Sequence, residues 1–138
     1  MNNCEFLFTV LESEKDCPFS IKRVYFLSNL KVDTARGFHA HYKLWQYALC
    51  LQGSFEMIYD DGLLRESHVL DSNSKGVLIP PMIWHEMCHF SEDCLIMVAA
   101  SDHYDEGDYI RSYDEFKRNV KNVFHRNILV IQQYLRVK

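Results

Sequence analysis

The chain is punctuated at short intervals by turn-forming residues, and this constrains its fold more than any other feature. Glu14-Lys15-Asp16-Cys17-Pro18, a polar stretch over residues 28–35, Gly53-Ser54, Asp60-Asp61-Gly62, Asp71-Ser72-Asn73-Ser74-Lys75-Gly76 and Pro80-Pro81 divide the sequence. The runs between them favour strands: IKRVYFL over residues 21–27, a strand over 65–70, Val77-Leu78-Ile79, residues 83–87, and CLIMVAA over 94–100. Short strands at spacings of about 8–12 residues, with turn clusters between them, predict an antiparallel sandwich or barrel. An aromatic share of 14% (nine Phe, eight Tyr, two Trp) leans the same way. Only the end of the chain changes texture. Residues 113–121 read as a short helix with Asp114 near its start and Phe116 and Val120 on one face, and residues 123–135 fit a second helix or a final strand. The expected fold is all-β, a small double-sheet jelly roll with a short C-terminal helical segment. At 138 residues the chain is expected to form one domain, residues 1–138, with a core that needs no metal or disulfide.

Charge and cysteine usage narrow the function. The formal net charge is -4 with no long basic run, which argues against nucleic acid as a partner. The five cysteines never fall in a CxxC spacing, the usage of a reducing compartment. Neither a secretory leader nor an apolar run long enough to cross a membrane is visible, so a soluble, cytoplasmic protein is expected.

The chemistry concentrates in RGFHAH. On a strand, His39 and His41 point to the same side, with the small Ala40 facing away. Two imidazoles on one rigid face are either a metal clasp or an acid–base pair. His85 lies far off in sequence but follows Pro80-Pro81 on a strand that an antiparallel fold can bring alongside. His68, His89, His103 and His125 read as ordinary surface or hydrogen-bonded histidines.

The spacing HxH-x4-Gln-x6-Gly, from His39 through Gln46 to Gly53, resembles the first cupin motif, and Gly76-x3-Pro80-Pro81-Met82-Ile83-Trp84-His85 resembles the second. Cupins that hold an ion usually have a glutamate where this chain has Gln46, and a glycine where it has Met82. An amide is neutral and a poor ligand for divalent ions. A three-histidine site from His39, His41 and His85 stays open as an alternative.

Taken in order, IKRVYFL, RGFHAH, LWQ, GSFEMIYDDG, GVLIPPMIWHEM and ASDHYDEGDYIRSYDEF resemble a narrower group, the WxcM-like nucleotide-sugar 3,4-ketoisomerases. The resemblance runs from about residue 21 to 120. It implies a cupin-fold homodimer without metal or cofactor that moves the carbonyl of dTDP-4-keto-6-deoxyglucose from C4 to C3, for dideoxy-aminosugars of surface polysaccharide or S-layer glycan. A non-catalytic cupin that binds a nucleotide sugar is the further alternative.

Carried over residue by residue, the resemblance makes His39 and His41 the functional pair, with His41 as the base. An imidazole near its ordinary pKa can take and return a proton at neutral pH. Arg36, before the strand, can pair with the pyrophosphate or a developing oxyanion. Tyr25 can relay a proton or hydrogen-bond the sugar; related sequences often carry two consecutive tyrosines where this chain has Tyr25-Phe26. Gln46, Trp84 and His85 are expected along the same cavity, Trp84 as a stacking face. The acidic run over residues 102–108 is read as a loop capping the terminal helix, with Tyr104 and Arg111 beside it. An apolar edge strand over residues 6–11 is a candidate for pairing across the dimer.

Overall fold

The computed structural model describes residues 9–121. Nine strands and one helix follow in order: β1 Arg23–Leu27, β2 Arg36–His41, β3 Gln46–Gln52, β4 Ser54–Asp60, β5 Arg65–Asp71, β6 Val77–Ile79, β7 Trp84–Cys88, β8 Leu95–Ala100, β9 Tyr109–Ile110 and α1 Tyr113–Val120. They form two antiparallel sheets, ordered β1-β8-β3-β6 and β5-β4-β7-β2-β9. This is the double-sheet, all-β architecture that the turn spacing predicts, with the helix at its end.

Alternation decides which side chains fill the space between the sheets. On β4, Phe55, Met57 and Tyr59 are buried while Glu56 and Ile58 between them are not. They meet Ala48, Cys50, Val77, Ile79, Ile96 and Val98 of the facing sheet in one core cluster. Each large side chain removed from water in this way contributes about 1.5–3 kcal/mol before entropy is counted. On β1 the pattern places Arg23, Tyr25 and Leu27 inward, and Val24 and Phe26 outward.

The outer faces are covered too. Cys17 and Phe19 pack on Tyr47, Leu49 and Leu78 behind the four-stranded sheet. Helix α1 lays Phe116 and Val120 over Ala40, Trp84 and Ile110 behind the five-stranded sheet. The helix is capped by Ser112, whose hydroxyl accepts the Glu115 N–H at 3.3 Å. The acidic loop before it is therefore not the cap. Within that loop a single 3₁₀ turn, Glu106–Asp108, leads directly into β9. Of the expected N-terminal strand, residues 9–11 are not in strand conformation and the rest lies outside the described residues, as does the segment 123–135.

One irregularity aims the histidine strand. Arg36 pairs with Met87 and Gly37 with Glu86, but His39 pairs with His85, so Phe38 is the extra residue of a bulge. Gly37 and Phe38 both have positive φ, 89° and 56°. A Cβ on Gly37 would sit 2.7 Å from the His85 carbonyl oxygen, so only glycine lets β2 lie this close to β7.

Candidate active site

Beyond the bulge, β2 presents His39 and His41 to the interior, and the neighbouring strands add to the same face. His85 of β7 is the cross-strand partner of His39, and Tyr109 of β9 is the partner of His41. The His39 ring centroid lies 5.0 Å from that of His41 and 4.5 Å from that of His85. The Tyr109 ring lies 4.3 Å from His41 and 4.9 Å from His39. From the facing sheet, the Gln46 amide donates to the Tyr25 hydroxyl at 2.6 Å. His39, His41 and His85 thus form one cluster with Tyr109, and the Tyr25–Gln46 pair of the facing sheet is near enough for Tyr109 to act on the Tyr25 phenol electrostatically.

Hydrogen bonds to the backbone set the tautomers of two of the imidazoles. Nδ1 of His39 lies 2.9 Å from the Gly37 carbonyl, and Nδ1 of His85 lies 3.2 Å from the Ile83 carbonyl. A carbonyl can only accept, so both Nδ1 atoms carry hydrogen, and in the neutral rings Nε2 holds the lone pair. The ring nitrogens of His41 make no aligned hydrogen bond, although Nδ1 lies 3.4 Å from Asp108 Oδ2, an ion-pair distance.

Burial holds all three imidazoles neutral. His41 is pushed down to about 3, first by burial and then by His39, Arg23 and Arg111. Burial also lowers His39, and it drives His85 well below the ordinary histidine value. Tyr25 moves the other way, up to about 12, chiefly through burial and then through Tyr109. At neutral pH the site therefore offers unprotonated imidazoles and a protonated phenol.

His41 opens into a pocket of about 260 Å³ whose walls include Arg23, Lys43, Tyr104, Asp108 and Tyr109. Several of the buried polar atoms nearby make no hydrogen bond: Arg23 Nε, Gln46 Oε1 and both nitrogens of His41. Buried polar atoms are normally satisfied, so a cluster of unsatisfied ones marks where a polar ligand is to be received. The loop over residues 101–108 forms a wall of this pocket. There Arg111 holds Glu106 with contacts of 2.8 and 3.0 Å, and Tyr104 also donates to Glu106. Asp108 accepts the backbone N–H groups of Lys43 and Leu44 at 2.9 and 3.1 Å.

Of the seven expected site residues only His41 is in the pocket wall; Tyr25, His39, Gln46 and His85 are not, and the other two lie away from the histidine cluster. Arg36 is exposed at the opposite end of β2 from His41 and is not part of the pocket wall. Trp84 is one residue from His85 and so faces the other side of the sheet. It is buried against Phe116 and Tyr113, with its indole N–H donated to Glu86 at 3.0 Å. Arg23, Asp108 and Tyr109 line the pocket without being among the residues expected from the sequence. Arg23 carried a signal, since it stands two residues from Tyr25 and shares its face. Asp108 and Tyr109 sit in an acidic run whose local pattern reads as a solvated loop.

The geometry does not favour the three-histidine metal alternative. Among the described residues, the His/Cys/Asp/Glu group of three whose ligand atoms lie within 4.8 Å of one another is Glu56, Cys88 and His89. His39, His41 and His85 are not so gathered, and Gln46 supplies no charge.

Comparison with known proteins shows the family. The model of the FdtA family, described as WxcM-like, C-terminal, matches residues 2–121. A curated relative from Aneurinibacillus thermoaerophilus, TDP-4-oxo-6-deoxy-alpha-D-glucose-3,4-oxoisomerase, is 50% identical over 113 residues, covering 82% of this chain and 81% of its own. Among solved structures, a histidine-to-asparagine mutant of the 3,4-ketoisomerase QdtA from Thermoanaerobacterium thermosaccharolyticum, in complex with TDP-4-keto-6-deoxyglucose, superposes with a TM-score of 0.82. It is 39% identical, with 86% of each chain covered. NovW of Streptomyces spheroides, a 4-keto-6-deoxy sugar epimerase, is 19% identical with a TM-score of 0.57 over 64% of this chain and 50% of its own, a likeness of cupin-type fold alone. The chain belongs to the FdtA, WxcM-like family of TDP-sugar 3,4-ketoisomerases.

Proposed function

We propose that this chain converts dTDP-4-keto-6-deoxyglucose to the 3-keto-6-deoxyhexose by proton transfer at His41. The observation that carries the proposal is a neutral, buried imidazole opening into a pocket, with an aspartate carboxylate 3.4 Å behind it. The C3 proton, acidified by the adjacent C4 ketone, passes to His41. The resulting enediolate shifts its hydroxyl proton from O3 to O4, and a proton delivered to C4 completes the isomerisation. Asp108 faces the Nδ1 side of His41 and offsets the imidazolium charge while it exists. Hydrogen-bond geometry of this kind often tightens only when substrate is bound.

His39 and Tyr25 serve the oxygens. Tyr25 accepts from Gln46, which leaves its own O–H to donate, and burial keeps that proton in place. Gln46 Oε1, without a protein partner, can accept from a sugar hydroxyl. Preorganised donors aimed at developing charge are usually the largest part of such catalysis. Arg23 and Lys43 suit the diphosphate and take the role first expected of Arg36. His85 backs His39 from the sheet interior, and Trp84 holds the sheet to α1.

The same reading takes residues 1–138 as one domain, working in the cytoplasm as a homodimer and supplying aminosugar synthesis for surface glycans. Among the described residues no helix is long and apolar enough to cross a membrane. The dimer is tested by sizing the protein with and without the residues before Pro18. The reaction is tested by NMR of the purified protein's product from dTDP-4-keto-6-deoxyglucose. A 3-keto sugar is expected, and an unchanged substrate contradicts the proposal.

A further inference from the structure

A second cluster of chemically active side chains lies on the opposite face of the five-stranded sheet. Glu56 and Cys88 are cross-strand partners on β4 and β7, and both face away from His85 and the pocket. His89 follows at once with φ of 50°, a left-handed turn that folds its ring back onto them. His89 Nδ1 lies 2.5 Å from Glu56 Oε2 and 3.6 Å from Cys88 Sγ, and that sulfur lies 3.9 Å from the same carboxylate oxygen.

These separations can be compared with what a zinc-class ion requires. Metal–ligand bonds of about 2.3 Å to sulfur and 2.0–2.2 Å to nitrogen or oxygen, at tetrahedral angles, place the ligand atoms roughly 3.4–3.6 Å apart. The sulfur–nitrogen edge already has this length and the sulfur–oxygen edge nearly so. The nitrogen–oxygen edge is short because a shared proton bridges it, and an ion replacing that proton would push it out by roughly 1 Å. His89 is 78% exposed in its side chain, so an ion can enter from solvent. The donor set is one thiol, one imidazole and one carboxylate, the mixture that selects a borderline-soft divalent ion over calcium or magnesium. We propose that Glu56, Cys88 and His89 form a surface site for a zinc-class divalent cation, separate from the isomerase pocket. Binding displaces the Cys88 thiol proton and the proton shared by His89 and Glu56 to solvent, and water completes the coordination.

The test is titration of the full-length protein with Co²⁺ alone, read by thiolate-to-cobalt charge-transfer absorption, and with Zn²⁺ alone, read by calorimetry. One ion per chain is expected, with the charge-transfer band absent in Cys88→Ser and affinity lowered at least about tenfold in His89→Ala. His41→Asn should bind cobalt as the wild type does, which separates this site from the pocket histidines. Unchanged sugar turnover and an unchanged far-ultraviolet spectrum in Cys88→Ser would show that its fold is intact. No thiolate band in the wild type, or a band that persists in Cys88→Ser, would overturn the proposal.

Discussion

Asp108 and His41 come from segments far apart in the chain, yet Asp108 Oδ2 lies 3.4 Å from His41 Nδ1. The same carboxylate also holds the backbone N–H groups of Lys43 and Leu44, so the strand exit, the loop and the imidazole are fixed relative to one another. A carboxylate held this way can orient the ring and stabilise its protonated form without moving.

Replacing Asp108 with Asn keeps the shape and removes the charge. We expect kcat to fall by roughly a hundredfold with KM changed little, because the imidazolium exists only during turnover. Steady-state kinetics on the variant check this, and a rise in KM at unchanged kcat would instead place Asp108 in substrate binding.

The pH dependence follows from the buried imidazoles. His39, His41 and His85 are all lowered in the folded state, His41 to about 3, against an ordinary value of 6.5. Below pH 6.5 the unfolded chain therefore binds more protons than the folded one. Their contribution to stability is fully present above about 6.5 and is lost as pH falls towards 3. Thermal melts should show Tm dropping across that window, with a shallower slope in His41→Asn. The base is already neutral, so kcat/KM should show no limb near 6.5 where the protein remains folded.

Tyr25→Phe removes the acceptor of the Gln46 amide and the O–H that the mechanism uses. Turnover should fall by about a hundredfold while the affinity for dTDP is retained. Calorimetry with dTDP and a rate assay separate the two effects.

Trp84 distinguishes packing from binding. Because it is buried on the helix side, Trp84→Ala should cost about 3–5 kcal/mol in denaturant unfolding. Trp84→Phe, with most of the ring volume kept, should leave KM for the sugar nucleotide unchanged. A large KM increase in Trp84→Phe would return it to the pocket.

Gly37→Ala tests the bulge. A methyl group there meets the His85 carbonyl and forces a positive φ on a residue that avoids it. Destabilisation of about 1–3 kcal/mol is expected, read by chemical denaturation.

Much of this molecule is legible from period-2 alternation. That alternation puts His39 with His41, Tyr25 inward and Phe26 outward, and Phe55, Met57 and Tyr59 in the core. Read strictly, it also turns Trp84 away from His85 and puts Arg23 beside Tyr25. The short β9 was invisible, because two residues carry no periodicity. Asp108 acquires its role only through contacts more than sixty positions away in sequence. The bulge at Gly37 and Phe38 that re-aims the two histidines depends on β7 and has no local signature.

The proposed mechanism has His41 take the proton from C3. The most direct test is to incubate the wild type and His41→Asn with dTDP-4-keto-6-deoxyglucose in deuterated water and follow both by NMR. For the wild type, deuterium is expected at C4 of the product and at C3 of recovered substrate. His41→Asn should show neither, while still binding dTDP. Exchange at the wild-type rate in His41→Asn would contradict the mechanism.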